Sequence, residues 1–199
     1  MRHILPLLFI IIVTSVKGQE ILRLDTEIEP HKPTFEFEGY SEFRDLMEWE
    51  TFSTSNLTAQ LNNNYEAINL TDGNSGTAWI EGKQDYGIDE SFSFIFKNVY
   101  GINKAEISSI TVLNGYSKSD KTWKENSRVK AFSVYLNNKQ LFNLFLSDTI
   151  NIQYLDLKKL NREIEVNAND TLKFKIKEIF AGDRFKDTAI TEIELGRSY

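Results

Sequence analysis

The sequence predicts an all-β protein, a sandwich or barrel of short strands. Three observations carry that expectation. Aromatic residues make up 13% of the 199-residue chain, with 14 Phe and 8 Tyr, and aromatic side chains favour the pleated, half-buried surface of a sheet. Short runs alternate apolar and polar residues, the period of a strand with one face buried. Turn-forming residues separate those runs, and no stretch sustains a helical period.

The elements follow in chain order. Met1-Arg2-His3 is a basic head, Ile4 to Val13 is almost wholly apolar, and Thr14-Ser15-Val16-Lys17-Gly18 follows, with Val16 and Gly18 as the small residues before the cut and Lys17 a departure from the pattern. That is the grammar of a secretory signal peptide over residues 1–18, cut before Gln19. The apolar run is shorter than the roughly 20 residues a spanning helix needs, so an uncleaved anchor is the lesser alternative. Residues 19–48 read as an N-terminal arm. Pro30 and Pro33 break any helix there, and Thr34 to Glu38 alternates like an edge strand. A single domain follows over residues 49–199.

Within that domain, Phe92, Phe94 and Phe96 share one face of a strand over 90–96. Ile107 to Leu113 forms the next and ends at the turn Asn114-Gly115. Val129 to Leu136 is apolar on both faces, as in a strand covered on both sides. Asn137-Asn138 turns it into Gln140 to Leu146, a hairpin. Leu172, Phe174, Ile176 and Ile179 mark another strand, and Ala189 to Leu195 the last.

Composition excludes several functions. Net charge is -6, from 29 acids and 23 bases. No basic run is present to neutralise phosphates, so no nucleic-acid partner is expected. The chain has no cysteine and two histidines, His3 in the signal and His31 in the arm. Thiol catalysis, a Ser-His-Asp triad and a zinc hydrolase site therefore lack residues. No glycine-rich phosphate loop appears, so no nucleotide is expected. No carboxylate pair stands out as a glycosidase pair. Without cysteine there are no disulfides and no lipid-modified N-terminal cysteine, so stability must come from the core, with or without a metal. The sequons at Asn56, Asn69 and Asn169 matter only in a glycosylating host.

One order of motifs is more specific. "AINLTDGNSGTAWIEG" is followed by "VLNGY", "NSRVK" and "DTAITEIEL". Over about residues 50 to 196 this order resembles the discoidin-like family (coagulation factor five/eight type C, galactose-binding-like domains). It is most similar to the branch found as the translocation module of NAD glycohydrolase toxins. The resemblance implies an antiparallel jelly-roll β-sandwich of about eight core strands, whose loops at one end bind glycans, lipid heads or protein surfaces. NAD cleavage in such toxins belongs to a separate catalytic domain, so that activity is not implied.

Site residues follow from the motifs and the resemblance. In Asp72-Gly73-Asn74-Ser75-Gly76-Thr77, the glycines permit a tight curl with carbonyls turned inward. Asp72, Asn74 and Thr77 supply hard oxygen donors of the kind Ca²⁺ takes. In related carbohydrate-binding modules this loop holds a structural Ca²⁺ completed by a glutamate on the last strand, matched here by Glu192. The alternative is an Asx turn without metal. Trp79 is either a stacking platform for a sugar or a core anchor. Trp123, in the polar stretch "SKSDKTWKENSR", is the better surface platform. Arg128 forks onto a ligand or pairs with Asp187 to hold loops in place. Glu81, Asn114, Tyr116 and Asp183 join the same end by the family topology.

The expected function is a non-catalytic, exported binding module, periplasmic or secreted by a bacterium. It holds a glycan or similar hydroxyl-rich ligand through loops 79–86, 114–128 and 181–188. A scaffold that binds an envelope protein, with a purely structural cation, is the alternative. No organic cofactor and no stable membrane insertion after signal cleavage are expected.

Overall fold

Alternation decides which side chains face inward, and the computed structural model follows it closely over the residues it describes, 20–26, 48–97 and 103–197. The strands are β1 (Ile21–Arg23), β2 (Asp25–Thr26), β3 (Glu48–Ser53), β4 (Trp79–Ile80), β5 (Ser91–Lys97) and β6 (Lys104–Asn114). After them come β7 (Ser127–Leu136), β8 (Lys139–Phe145), β9 (Gln153–Asp156), β10 (Ile164–Asn167), β11 (Thr171–Phe180) and β12 (Thr188–Arg197). One short helix, α1 (Asp120–Glu125), and two 3-10 turns complete the described elements.

The strands form the two layers of an all-β, discoidin-like sandwich. One layer runs β1–β8–β7–β11–β5–β3. The other runs β2–β9–β6–β12–β4, with β10 also on β6. Pairing is antiparallel except where β1 meets β8 and where Thr188–Ala189 meets Ser127–Arg128. Through that second contact β12 belongs to both layers. At Asn137 and Asn138 φ is 48° and 68°, the left-handed pair that a two-residue hairpin requires and that asparagine tolerates.

The inward faces interdigitate around aromatic rings. Phe92, Phe94, Phe96, Phe132 and Phe174 are fully buried. Phe92 stacks on Phe174 at 5.3 Å and meets Phe132 and Trp79 edge-on at 5.6 and 5.2 Å. Each such ring removed from water contributes about 1.5–3 kcal/mol. Small strands missed in the sequence, β9 and β10, are four residues each, too short for alternation to register.

Two segments take more structure than their polar composition suggests. The start of the arm is laid against the domain. Residues 20–26 enter the sandwich through β1 and β2, with Leu22 and Leu24 buried in the core. Burial of two leucines outweighs the acidic composition that marks the segment as surface. The polar stretch 117–128 contains α1, which starts on a reciprocal cap: Thr122 N–H donates to the Ser119 hydroxyl at 3.1 Å and Ser119 N–H to Thr122 Oγ1 at 2.9 Å. The signal peptide, His31 and the Thr34–Glu38 strand lie outside the described residues.

Candidate functional site

The turn before β4 and the last strand meet. Gly73 takes φ 74°, which lets the chain reverse so that Asn74 N–H reaches both Asp72 Oδ1 and Glu192 Oε1 at 2.9 Å. Thr77 Oγ1 donates to Asp72 Oδ2 at 2.7 Å. The oxygens of Asn74 turn inward on the loop itself. Its carbonyl accepts from Thr77 N–H at 3.0 Å and lies 2.8 Å from Thr77 Oγ1, competing with Asp72 for the single hydroxyl proton, and its Oδ1 accepts from Gly76 N–H at 2.9 Å. The expected inward ring of carbonyls is thus an Asx-type turn stitched by N–H donors.

Glu192 is buried beside a second acid. Burial first, then the hydrogen bond and the charge of Asp72, push its carboxyl up to about 8, against the Asn74 and Gly73 N–H groups. Burial beside a like charge favours the protonated form of the Glu192 carboxyl. The side chains of Asp72, Asn74, Thr77 and Glu192, the four residues expected to bind Ca²⁺, thus meet at one turn, with Asn74 Oδ1 already accepting from Gly76 N–H and the Thr77 hydroxyl donating to Asp72.

Most of the residues expected at the ligand rim are internal. Trp79 is fully buried, donates its indole N–H to Ser55 O at 3.1 Å and packs on Phe92. It is the core anchor, not the platform. Glu81 is fully buried too. It accepts from Lys83 N–H at 2.7 Å and Thr188 N–H at 3.2 Å, tying two loops together, and burial raises its pKa. Asn114 replaces a stretch of strand ladder: its amide donates to Val129 O at 2.7 Å and its Oδ1 accepts from Val129 N–H at 3.1 Å. Tyr116 is buried edge-on to Tyr65 at 6.3 Å and reaches Gly76 O at 3.4 Å.

Arg128 also turns inward, and its partner is Asp148 rather than Asp187. Nε and Nη2 fork onto Asp148 at 2.7 and 3.2 Å, while Nη1 donates to Asn126 O and Trp123 O at 2.8 and 3.1 Å. The guanidinium covers a face of Trp123, 4.3 Å from its ring centre. Trp123 is half-buried and donates its N–H to Asn114 O at 2.9 Å. Gly115 beneath it takes φ 83°, and a Cβ there would lie 2.7 Å from the indole. Trp123 is therefore packed in place by these neighbours and does not stand free in the polar stretch.

The expected loops do share one end. Residues 181–187 are stitched to α1: Asp183 N–H donates to Lys124 O at 2.9 Å and Phe185 N–H to Glu125 O at 2.8 Å. Thr188 Oγ1 donates to Tyr86 O at 2.9 Å, which brings the 82–88 loop alongside. Asp183 is exposed, and Asp187 is half-buried with its carboxyl pushed up by burial. The aromatic side chains turned outward here are Phe185, 39% exposed, and Tyr86, half-buried under the Lys186 ammonium at 5.8 Å. Sequence reasoning missed both. An aromatic flanked by charges in "GDRFKD" was the available signal.

Comparison with known proteins agrees with this geometry in family alone. The model of the NAD glycohydrolase translocation F5/8 type C domain matches residues 44–196. No curated protein matches the chain. Similar solved structures include the arabinofuranosyltransferase AftD from Mycobacteria, at 13% identity and TM-score 0.49 over 77% of this chain and 11% of that one. They also include the Streptococcus pneumoniae β-galactosidase BgaA, at 9% and 0.43 over 76% of this chain and 98% of that one. A putative chitobiase fragment from Bacteroides thetaiotaomicron is similar at 14% and 0.47, over 82% of this chain and 96% of that one. The chain thus spans about a tenth of the transferase. Among the described residues no helix is long and apolar enough to cross a membrane. Motif order, sandwich topology and a family match over most of its length agree, and the chain belongs to the NAD glycohydrolase translocation F5/8 type C domain family.

Proposed function

We propose that this protein is a non-catalytic, exported binding module that takes a glycan or similar hydroxyl-rich ligand at its loop end. The observation that carries the reading is Phe185, an exposed aromatic on a loop whose backbone is pinned to α1 and β7. The Arg184 guanidinium lies over one face of the ring, 4.8 Å from its centre, and the fixed backbone leaves the other face for stacking at little ordering cost. Tyr86, on the neighbouring 82–88 loop, adds a second ring, and the Asp183 and Asp187 carboxylates on the Phe185 loop accept hydrogen bonds from hydroxyl groups. Affinity is modest, because an open rim removes little surface from water. A structural Ca²⁺ held by Asp72, Asn74, Thr77 and Glu192 would fasten the turn to β12 beneath this end. The basic head and apolar run of residues 1–18 support export.

Affinity electrophoresis of the purified protein through gels containing neutral and acidic polysaccharides tests the reading. Retardation by at least one polysaccharide, lost in Phe185→Ala with an unchanged melting temperature, is the expected result. Free migration through every gel would overturn it.

A further inference from the structure

Residues 20–26 lie outside the 44–196 stretch that defines the family domain, yet they complete its sandwich. Ile21, Leu22 and Arg23 pair in parallel with Asn143, Leu144 and Phe145 on β8. Asp25 and Thr26 then pair antiparallel with Tyr154 and Gln153 on β9. β8 belongs to one layer and β9 to the other, so this single segment crosses the seam between them. Asn143 N–H donates to Glu20 O at 2.9 Å and Leu24 N–H to Phe145 O at 3.2 Å. Leu22 and Leu24 point inward, 1% and 6% exposed. Outside, Glu20 pairs with Arg162, and the Arg23 guanidinium lies 5.2 Å from the Phe145 ring centre.

The seam therefore recognises an extended segment through main-chain hydrogen bonds and two leucine sockets. That is recognition by strand addition. The occupant is joined to β3 only through residues 27–47, and nothing in the seam's contacts depends on which chain supplies it. What fits within one molecule fits equally between two, the condition for exchanging an element between protomers.

We propose that the β8–β9 seam is a strand-acceptor site, filled by residues 20–26 of the same chain in dilute protein and by those of a second copy when chains fold together at high concentration. The absence of cysteine makes the test clean. Arg23 and Phe145 are register partners with outward-facing side chains. In the full-length Arg23→Cys/Phe145→Cys protein, a short bismaleimide should link the two sites within a monomer. Failure to link would overturn the acceptor site itself.

For exchange, Arg23→Cys and Phe145→Cys chains are prepared separately, unfolded together, refolded at high concentration and then cross-linked. A covalent dimer containing one of each chain should form, well above the level given by mixing the two already-folded proteins. Adding Leu22→Asp and Leu24→Asp to the Arg23→Cys chain should abolish it, while the Phe145→Cys acceptor stays intact. A dimer no more abundant than the mixing control, or one unaffected by the two aspartates, would overturn exchange.

Discussion

Arg128 and Trp123 form one unit: the guanidinium covers the indole at 4.3 Å, and its Nη1 donates to the Trp123 carbonyl at 3.1 Å. The fork to Asp148 contributes less than its geometry suggests, because the Asp148 side chain is 40% exposed and water screens the pair. The two carbonyl bonds and the stacked ring matter more. Arg128→Ala should destabilise the protein by about 2–3 kcal/mol through lost packing and unpaired carbonyls. Asp148→Asn should cost about 0–1 kcal/mol. Urea unfolding of both variants measures the ratio, and equal losses would show that the ion pair dominates instead.

Glu192 makes stability depend on pH. Its folded pKa of about 8 lies above the ordinary 4.5, so the folded state binds a proton that the unfolded state releases between those values. Stability without metal therefore falls as pH rises from about 4.5 to about 8, by an amount on the order of a few kcal/mol. Glu192→Gln, which stays neutral, should flatten that slope. Ca²⁺ in place of the proton should stabilise the wild type more at pH 8 than at pH 5, because binding releases a proton. Melting curves at both pH values, with chelator and with millimolar Ca²⁺, test both statements; no calcium shift at either pH would remove the cation.

Asn114 offers a test of the main-chain-like bond it makes. Replacing it with Ala leaves the Val129 N–H and C=O, both buried, without the partners they have at 3.1 and 2.7 Å. A loss of about 2–4 kcal/mol is expected. Asn114→Ser, which retains a hydroxyl, should recover little, since one short group does not reach both atoms. Chemical denaturation gives the comparison.

How much of this was readable from residues alone depended on range. The Phe92, Phe94 and Phe96 face and the Asn137-Asn138 turn are local patterns, and both are present as expected. Asp72 and Glu192 are 120 positions apart, and only the family's motif order put them together. Asp148 escaped because it sits in an irregular connection between β8 and β9 with no repeating pattern to give it a direction. Trp123 misled for a related reason: its cover comes from Gly115 and Arg128, one a residue with no side chain and the other a charge. Composition reads such surroundings as solvent. Leu22 and Leu24 do alternate with Arg23 and Asp25, a strand signal that the acidic arm around it obscured.

The loop end yields the prediction that separates recognition from structure. Phe185 is 39% exposed and Tyr86 half-buried, so removing either ring leaves the core untouched, and Phe185→Ala or Tyr86→Ala should change stability by no more than about 0.5 kcal/mol. Trp123→Ala removes a ring that covers Arg128 and holds the Asn114 carbonyl, and should lower stability by about 3 kcal/mol or more. Sugar binding should follow the opposite order: abolished in Phe185→Ala, weakened in Tyr86→Ala, and retained by the folded fraction of Trp123→Ala. Stacking and neutral hydrogen bonds change little with ionic strength, whereas attraction to Arg184 and Lys186 is screened within about 8 Å at physiological salt. Retention that survives high salt in the wild type therefore assigns recognition to the rings. Retention that collapses with salt, or that persists in Phe185→Ala, would move it to the cations beside them.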